Sequence, residues 1–332
     1  MRPSRVVVTG GAGFIGSTLV KRLVQQGHHV RVIDNLWRGR LENLTWPDGS
    51  EVIDRRRDFH LADLCDSGRC LELVRDVDLV YHLADVVAGI EFVFNNEAFV
   101  FRQNVVMNSN VINACVANGV SKLVYAGTAC SYPKHLQGGV GTAVMVESQA
   151  YPAEPESAYG WSKLLGEYEA ELAGRDGRVS VGLLRFHNVY GPGAAYDPSV
   201  SQVIPALNRK AIRHPAEPFI VWGSGRQYRD FVFADDAVEA LLLVAERGMD
   251  LGVIQIGTGE PVTVRHLADL IIAVSGKDIH AEYDTSRPEG DFGRVADWSR
   301  AREILCWTPA ISLREGLERS YEWVGDRLER DT

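Results

Sequence analysis

Short runs of β-branched and aliphatic residues alternate with longer stretches of helical spacing along most of this chain, which predicts a sheet wrapped by helices. Arg5–Thr9, His29–Ile33, Glu51–Arg57 and Val77–His82 read as four strands. Lys122–Ala126, Val179–Leu184 and Val253–Ile256 read as three more. Helical periodicity covers Ser17–Gln26, and Phe99–Gly119 carries it through Val105, Val106, Asn110, Val111, Ala114 and Cys115. Ala234–Gly248 and an amphipathic Leu313–Leu328 complete the helical pattern, and Gly138–Pro155 reads as loop. The predicted class is α/β with a doubly wound parallel sheet. A Pro-, Gly- and Ser-rich tract ending near Ser201 marks a change of part. Residues 1–185, with a return at about 230–257, are expected to form one domain, and 186–229 with 258–332 a smaller α/β substrate-binding domain.

The first strand runs into Gly10-Gly11-Ala12-Gly13-Phe14-Ile15-Gly16 and then a helix. Strand, glycine turn and helix together make a dinucleotide fingerprint and point to a Rossmann-like sheet. Glycine lets the backbone approach a pyrophosphate, which sits where the free N–H groups of a helix start favour anions. Asp34 ends the second strand and is placed to accept the ribose hydroxyls, which favours NAD; Arg38 and Arg40 lie close enough to leave NADP open. Gly10, Gly13, Phe14, Ile15, Gly16, Asp34 and its neighbour Asn35 are expected cofactor contacts. Asp63 and Leu64 follow the third strand, where Asp63 either caps the adenine or belongs to a solvated turn. Leu83 and Ala84 follow the fourth strand at its C-terminal end, where ligands of open parallel sheets bind, and His82 before them is read as packing.

Tyr159 and Lys163 stand four residues apart on one helix and so share a face, where a lysine cation can lower a phenol pKa and make it a base. Thr128 at the end of a strand can add a hydroxyl beside Tyr159. Cys130, two residues on, is either inert packing or a thiol able to exchange protons in the substrate cleft. His187 reads chiefly as support for the site. Arg226 and Arg229 in the strand–turn–strand Ile220–Phe231, and Arg287 and Arg294 further on, form two arginine loops. Arginine binds phosphate in bidentate fashion, so the loops suggest a clamp on a second diphosphate, with surface ion pairing as the alternative.

These segments together resemble the extended short-chain dehydrogenase/reductase superfamily acting on nucleotide sugars. Thr128-Ala129-Cys130-Ser131-Tyr132-Pro133, Tyr151-Pro152-Ala153-Glu154-Pro155 with Ser157-Ala158-Tyr159-Gly160, and Arg185-Phe186-His187-Asn188-Val189-Tyr190-Gly191-Pro192 are most similar to the GDP-mannose 3,5-epimerase family. The resemblance implies that Thr128, Tyr159 and Lys163, the last two also touching NAD, serve a transient oxidation at sugar C4. The resulting ketone acidifies the C3 and C5 protons, and Cys130 moves one of them. It further implies Gly89, Asn188, Val203, Trp222, Gln227, Arg229 and Arg294 as contacts of a nucleotide-diphosphate sugar, a GDP-sugar in the first place, and a homodimer formed through the Phe99–Gly119 and Tyr159 helices. The family's catalytic lysine has no counterpart in Ser201–Leu207, and Lys210 belongs to a later match. Inversion at one carbon, C4 epimerisation and dehydration by the same ketone chemistry therefore stay open.

A net charge of −9 argues against non-specific nucleic-acid binding. No apolar run is long enough to span a bilayer, and Met1–Arg5 leads straight into a strand without a signal-peptide pattern, so a cytoplasmic protein is expected. Five scattered cysteines, Cys65, Cys70, Cys115, Cys130 and Cys306, suggest free thiols and neither a disulfide framework nor a metal site. A non-catalytic NAD-binding sensor would be expected to have lost Tyr159 or Lys163, and both are present.

Overall fold

A computed structural model describes residues 4–138, 142–287 and 290–330. Residues 1–3, read above as the lead into the first strand, and 288–289 of the second arginine loop lie outside the described residues. Seven parallel strands form the main sheet: β1 (Arg5–Thr9), β2 (His29–Asp34), β3 (Phe59–Leu61), β4 (Leu79–His82), β5 (Lys122–Thr128), β6 (Ser180–Phe186) and β7 (Val253–Ile256). Their spatial order is β7-β6-β5-β4-β1-β2-β3. The chain reverses direction across the sheet between β1 and β4, which opens a crevice at the strand C-termini.

Alternation along β1 explains why both faces are covered. Val6 and Val8 pack with Leu19, Val20 and Leu23 of α1 (Phe14–Gln25), whereas Val7 packs with Val111 and Ile112 of α2 (Glu97–Ala117). Such strands are apolar on both sides, as parallel sheets require. α3 (Ala158–Arg175) lies against α2 and adds Ala170 to that second core.

Glu51–Arg57 is not a strand. Asp54 caps a one-turn helix, Arg55–Asp58, by accepting the Arg56 N–H at 3.0 Å, and the third strand begins only at Phe59. The apolar pair Val52-Ile53 feeds the core from a loop, and side-chain capping at Asp54 wins over the short hydrophobic run. The stretch read as loop before α3 also contains a strand, Val144–Met145.

That strand belongs to a four-stranded sheet in the order Val262–Thr263, Tyr228–Arg229, Gly293–Ala296, Val144–Met145. Arg229 and Arg294 are register partners on its two parallel central strands. Buried Asp230 ties the strands together, accepting the N–H groups of Thr258 at 2.7 Å, Gly259 at 2.9 Å and Ala296 at 2.9 Å. A separate core of Ile204, Leu207, Phe219, Leu267, Ile271 and Leu317 fills this smaller part of the molecule.

Candidate active site

A cleft of about 610 Å³ runs across the sheet's C-terminal edge. Gly10, Gly13, Phe14, Ile15, Gly16, Asp34, Asn35, Leu64, Leu83 and Ala84 line it, as do Thr128, Cys130, Tyr159 and Lys163. Gly89, Asn188, Val203, Trp222, Gln227, Arg229 and Arg294 line the same cleft. Asp63 does not. It is exposed, and its carboxylate accepts the Cys65 N–H at 2.9 Å. Arg226 is also exposed, bonded to Ser224, and Arg287 stacks on Trp222 while pairing with Glu91 and Asp284. The arginines of the cleft's second-sheet wall are Arg229 and Arg294.

The glycine turn makes a cradle. A Cβ on Gly16 would lie 2.1 Å from the Gly10 carbonyl oxygen, so only glycine lets α1 start this close to the turn. α1 has no side-chain cap from Gly13 and no acidic residue in its first turn, leaving its positive end to a ligand anion. Asp34 accepts the N–H groups of Ala12 at 3.0 Å and Leu36 at 2.8 Å, which fixes its carboxylate beside the turn. Arg38 points to the Val87 carbonyl and to the neighbourhood of Asp85 and Tyr159, and Arg40 stacks on Tyr196. Neither arginine supports the NADP alternative. The residues fit a dinucleotide whose ribose keeps both hydroxyls.

Below the cleft, a chain of hydrogen bonds joins β1 to α3. Thr9 Oγ1 accepts the N–H groups of Leu83 and Ala84 and contacts His82 Nδ1 at 2.8 Å, so its hydroxyl proton goes to that nitrogen. His82 Nε2 then donates to Asn108 Oδ1 at 2.9 Å, Asn108 Nδ2 donates to the Tyr125 hydroxyl, and that hydroxyl donates to the Lys163 carbonyl at 3.1 Å. His82 is therefore packed and bonded at both ring nitrogens.

Ser157 caps α3 by accepting the Gly160 N–H. A Cβ on Gly160 would be 2.2 Å from the Cys130 carbonyl oxygen, so glycine there lets the first turn of α3 sit against the Cys130 loop. Tyr159 and Cys130 are thereby brought to one wall. Thr128 Oγ1 accepts the Cys130 N–H at 3.2 Å, which leaves its own hydroxyl proton for a ligand oxygen. Arg294 Nη2 lies 3.2 Å from Cys130 Sγ.

Lys163 departs from the simple Tyr/Lys picture. Its ammonium is buried, 3.4 Å from Asp85 Oδ2 and 4.6 Å from the centre of the Tyr125 ring. Tyr159 lies close enough to the same Asp85 to feel its charge. Burial first, then the Asp85 charge, push the phenol well above its usual range, so Tyr159 stands protonated. Asp85 follows Ala84 in the chain; its partner Lys163 comes from α3, and no local pattern signals the pairing. Lys210 lines the cleft with its Nζ bonded to the Ile220 carbonyl. His187 is buried against Gln255, 3.3 Å away, and Asp230.

Strand order, glycine cradle and the Tyr159/Lys163 helix define a class, the Rossmann-type short-chain dehydrogenases/reductases. The chain belongs to the NAD dependent epimerase/dehydratase family, which matches residues 6–257. It is similar to GDP-mannose 3,5-epimerase of Arabidopsis thaliana, 32% identical over 329 residues that span 98% of this chain and 84% of that protein. Among solved structures it is similar to UDP-glucose 4-epimerase of Thermotoga maritima with UDP-glucose, at 28% identity and TM-score 0.86 over 98% of this chain and 99% of that one. MoeE5 in complex with UDP-glucose and NAD is 33% identical, with TM-score 0.81 over 98% and 99% of the two chains. No helix among the described residues is long and apolar enough to cross a membrane.

Proposed function

We propose that the protein is an NAD-dependent nucleotide-sugar epimerase that works through a transient 4-keto sugar, with Cys130 moving a proton at C3 or C5. The observation that carries this reading is the thiol's position: in the cleft, beside Tyr159, with the Arg294 guanidinium 3.2 Å from sulfur. When bound, NAD accepts hydride from sugar C4 and returns it. Tyr159 takes the C4 hydroxyl proton as its own hydrogen passes toward Asp85, Thr128 donates to the same sugar oxygen, and Lys163 holds Asp85 in place. In this reading Cys130 removes the proton next to the ketone. Arg229 and Arg294 are assigned to the diphosphate and sugar, and GDP is preferred on the likeness to the plant epimerase. The UDP-sugar structures favour C4 inversion as the second reading.

Turnover of GDP-mannose and UDP-glucose in D2O, followed by NMR, tests the proposal. Deuterium is expected at C3 or C5 with no accumulation of NADH; inversion at C4 without deuterium at either carbon would sink the role of Cys130.

We also assign the protein to the cytoplasm as a homodimer. Trp161, Leu165, Tyr168 and Leu172 recur at helical spacing on the outer face of α3 and are 38–46% exposed, with Phe99 and Val106 exposed on α2. Leu165→Arg is expected to convert the dimer to a monomer in light scattering. A wild type that is already monomeric, or a variant that stays dimeric, would remove these faces as the contact.

A further inference from the structure

Asp85 is anchored in the cleft by more than its Lys163 pair. Ala84 before it donates its N–H to Thr9 Oγ1 at 3.2 Å. After it, the fully buried Asn104 grips Val86 twice, accepting the Val86 N–H at 2.7 Å and donating to the Val86 carbonyl at 3.1 Å. Arg38 closes the run by donating to the Val87 carbonyl. The peptide groups on both sides of Asp85 are thereby fixed, and its side chain is held ready in one place. Lys163 approaches Oδ2 at 3.4 Å, whereas Oδ1 has no donor among the described residues. Buried carboxylate oxygens ordinarily have donors, so this one has capacity left for a hydrogen that a ligand brings. The 10% of the side chain that stays exposed opens on the cleft.

Position along the cleft identifies the ligand group. Ala84 packs on the glycine turn, where a Cβ on Gly10 would lie 2.9 Å from the Ala84 Cα. Asp85 therefore lies between the turn that cradles pyrophosphate and the Tyr159/Lys163 helix beside which hydride moves. In NAD the one group joining those two points is the ribose that carries the nicotinamide. We propose that Asp85 is a cofactor-binding residue whose carboxylate accepts a hydroxyl hydrogen of that ribose. Asp34 at the end of β2 serves the adenosine ribose, so the segments after two strands of one sheet each present an acid to one ribose of the dinucleotide. The inference rests on the use of NAD and not on which sugar carbon reacts.

Calorimetric titration of the full chain, freed of nucleotide, tests it without turnover. ADP carries the pyrophosphate but lacks the second ribose; ADP-ribose has that ribose but no nicotinamide. Asp85→Ala is expected to weaken ADP-ribose and NAD by about 10- to 100-fold, the range for a hydrogen bond to a charged group, with ADP changed less than about threefold. Asp85→Asn keeps the shape and one acceptor oxygen, and a smaller loss on the same two ligands is expected, so the comparison holds even where the alanine variant does not fold. NAD made with a 2′- or 3′-deoxyribose on the nicotinamide side supplies the converse: one of the two should bind wild type more weakly than NAD and bind Asp85→Ala as well as NAD does. Equal losses for ADP and ADP-ribose, or no loss for ADP-ribose, would overturn the inference. So would an Asp85→Ala protein that discriminates against both deoxy cofactors as wild type does.

Discussion

Tyr159→Phe is expected to lower kcat by about 10²- to 10⁴-fold, the range that positioned acid/base groups supply, with NAD and nucleotide binding unchanged. The substitution removes one oxygen from a side chain on the first turn of α3, and Ser157, Gly160 and the Cys130 loop still fix that turn. What is lost is the atom between the sugar hydroxyl and Asp85. Asp85→Asn is expected to slow the same step, because it removes the carboxylate toward which the phenol's hydrogen passes. Single-turnover NADH formation with bound nucleotide sugar measures both effects. A Tyr159→Phe enzyme within tenfold of wild type would remove the phenol from the chemistry.

Glu167→Gln is expected to cost about 3–5 kcal/mol of stability, the usual result of leaving one member of a buried ion pair without its partner. Glu167 follows Lys163 by one turn of α3, and Arg185 of β6 meets it in bidentate fashion, with Nε to Oε2 at 2.9 Å. The guanidinium also donates to the Glu147 carbonyl at 2.8 Å and lies over the Tyr132 ring at 5.1 Å. The side chains are 2% and 4% exposed, so water cannot replace the lost charge. Replacing both by Met should recover most of the loss, since the desolvation cost disappears with the charges. Urea unfolding of the two variants decides the matter: a loss below about 1 kcal/mol for Glu167→Gln would show that the pair contributes little net stability.

The local pattern exposed much of the main sheet and the glycine cradle, because each depends on a strand and the turn beside it. Misreading Glu51–Arg57 has a local cause: a cap at Asp54 outweighs two apolar residues. The arginine wall was less legible. Arg229 faces the cleft and Arg226, three residues earlier, faces solvent, a difference set by the pairing of Arg229 with Arg294 across the second sheet. Asp85 was harder still. It acquires its meaning from Lys163, so no window along the chain contains the relation.

The hydrogen-bond chain beneath the cleft also sets an acid limit on the protein. It requires a neutral His82, and burial, reinforced by the Lys163 charge, holds the folded-state pKa down at about 3. The unfolded chain's imidazole charges near pH 6.5, so protons bind the unfolded state first as pH falls below that value. Stability contributed by this residue is complete above about pH 6.5 and declines by at most roughly 1.4 kcal/mol per pH unit on the way down to the folded value. A histidine that faces no ligand would thus govern how acidic a compartment the enzyme can survive.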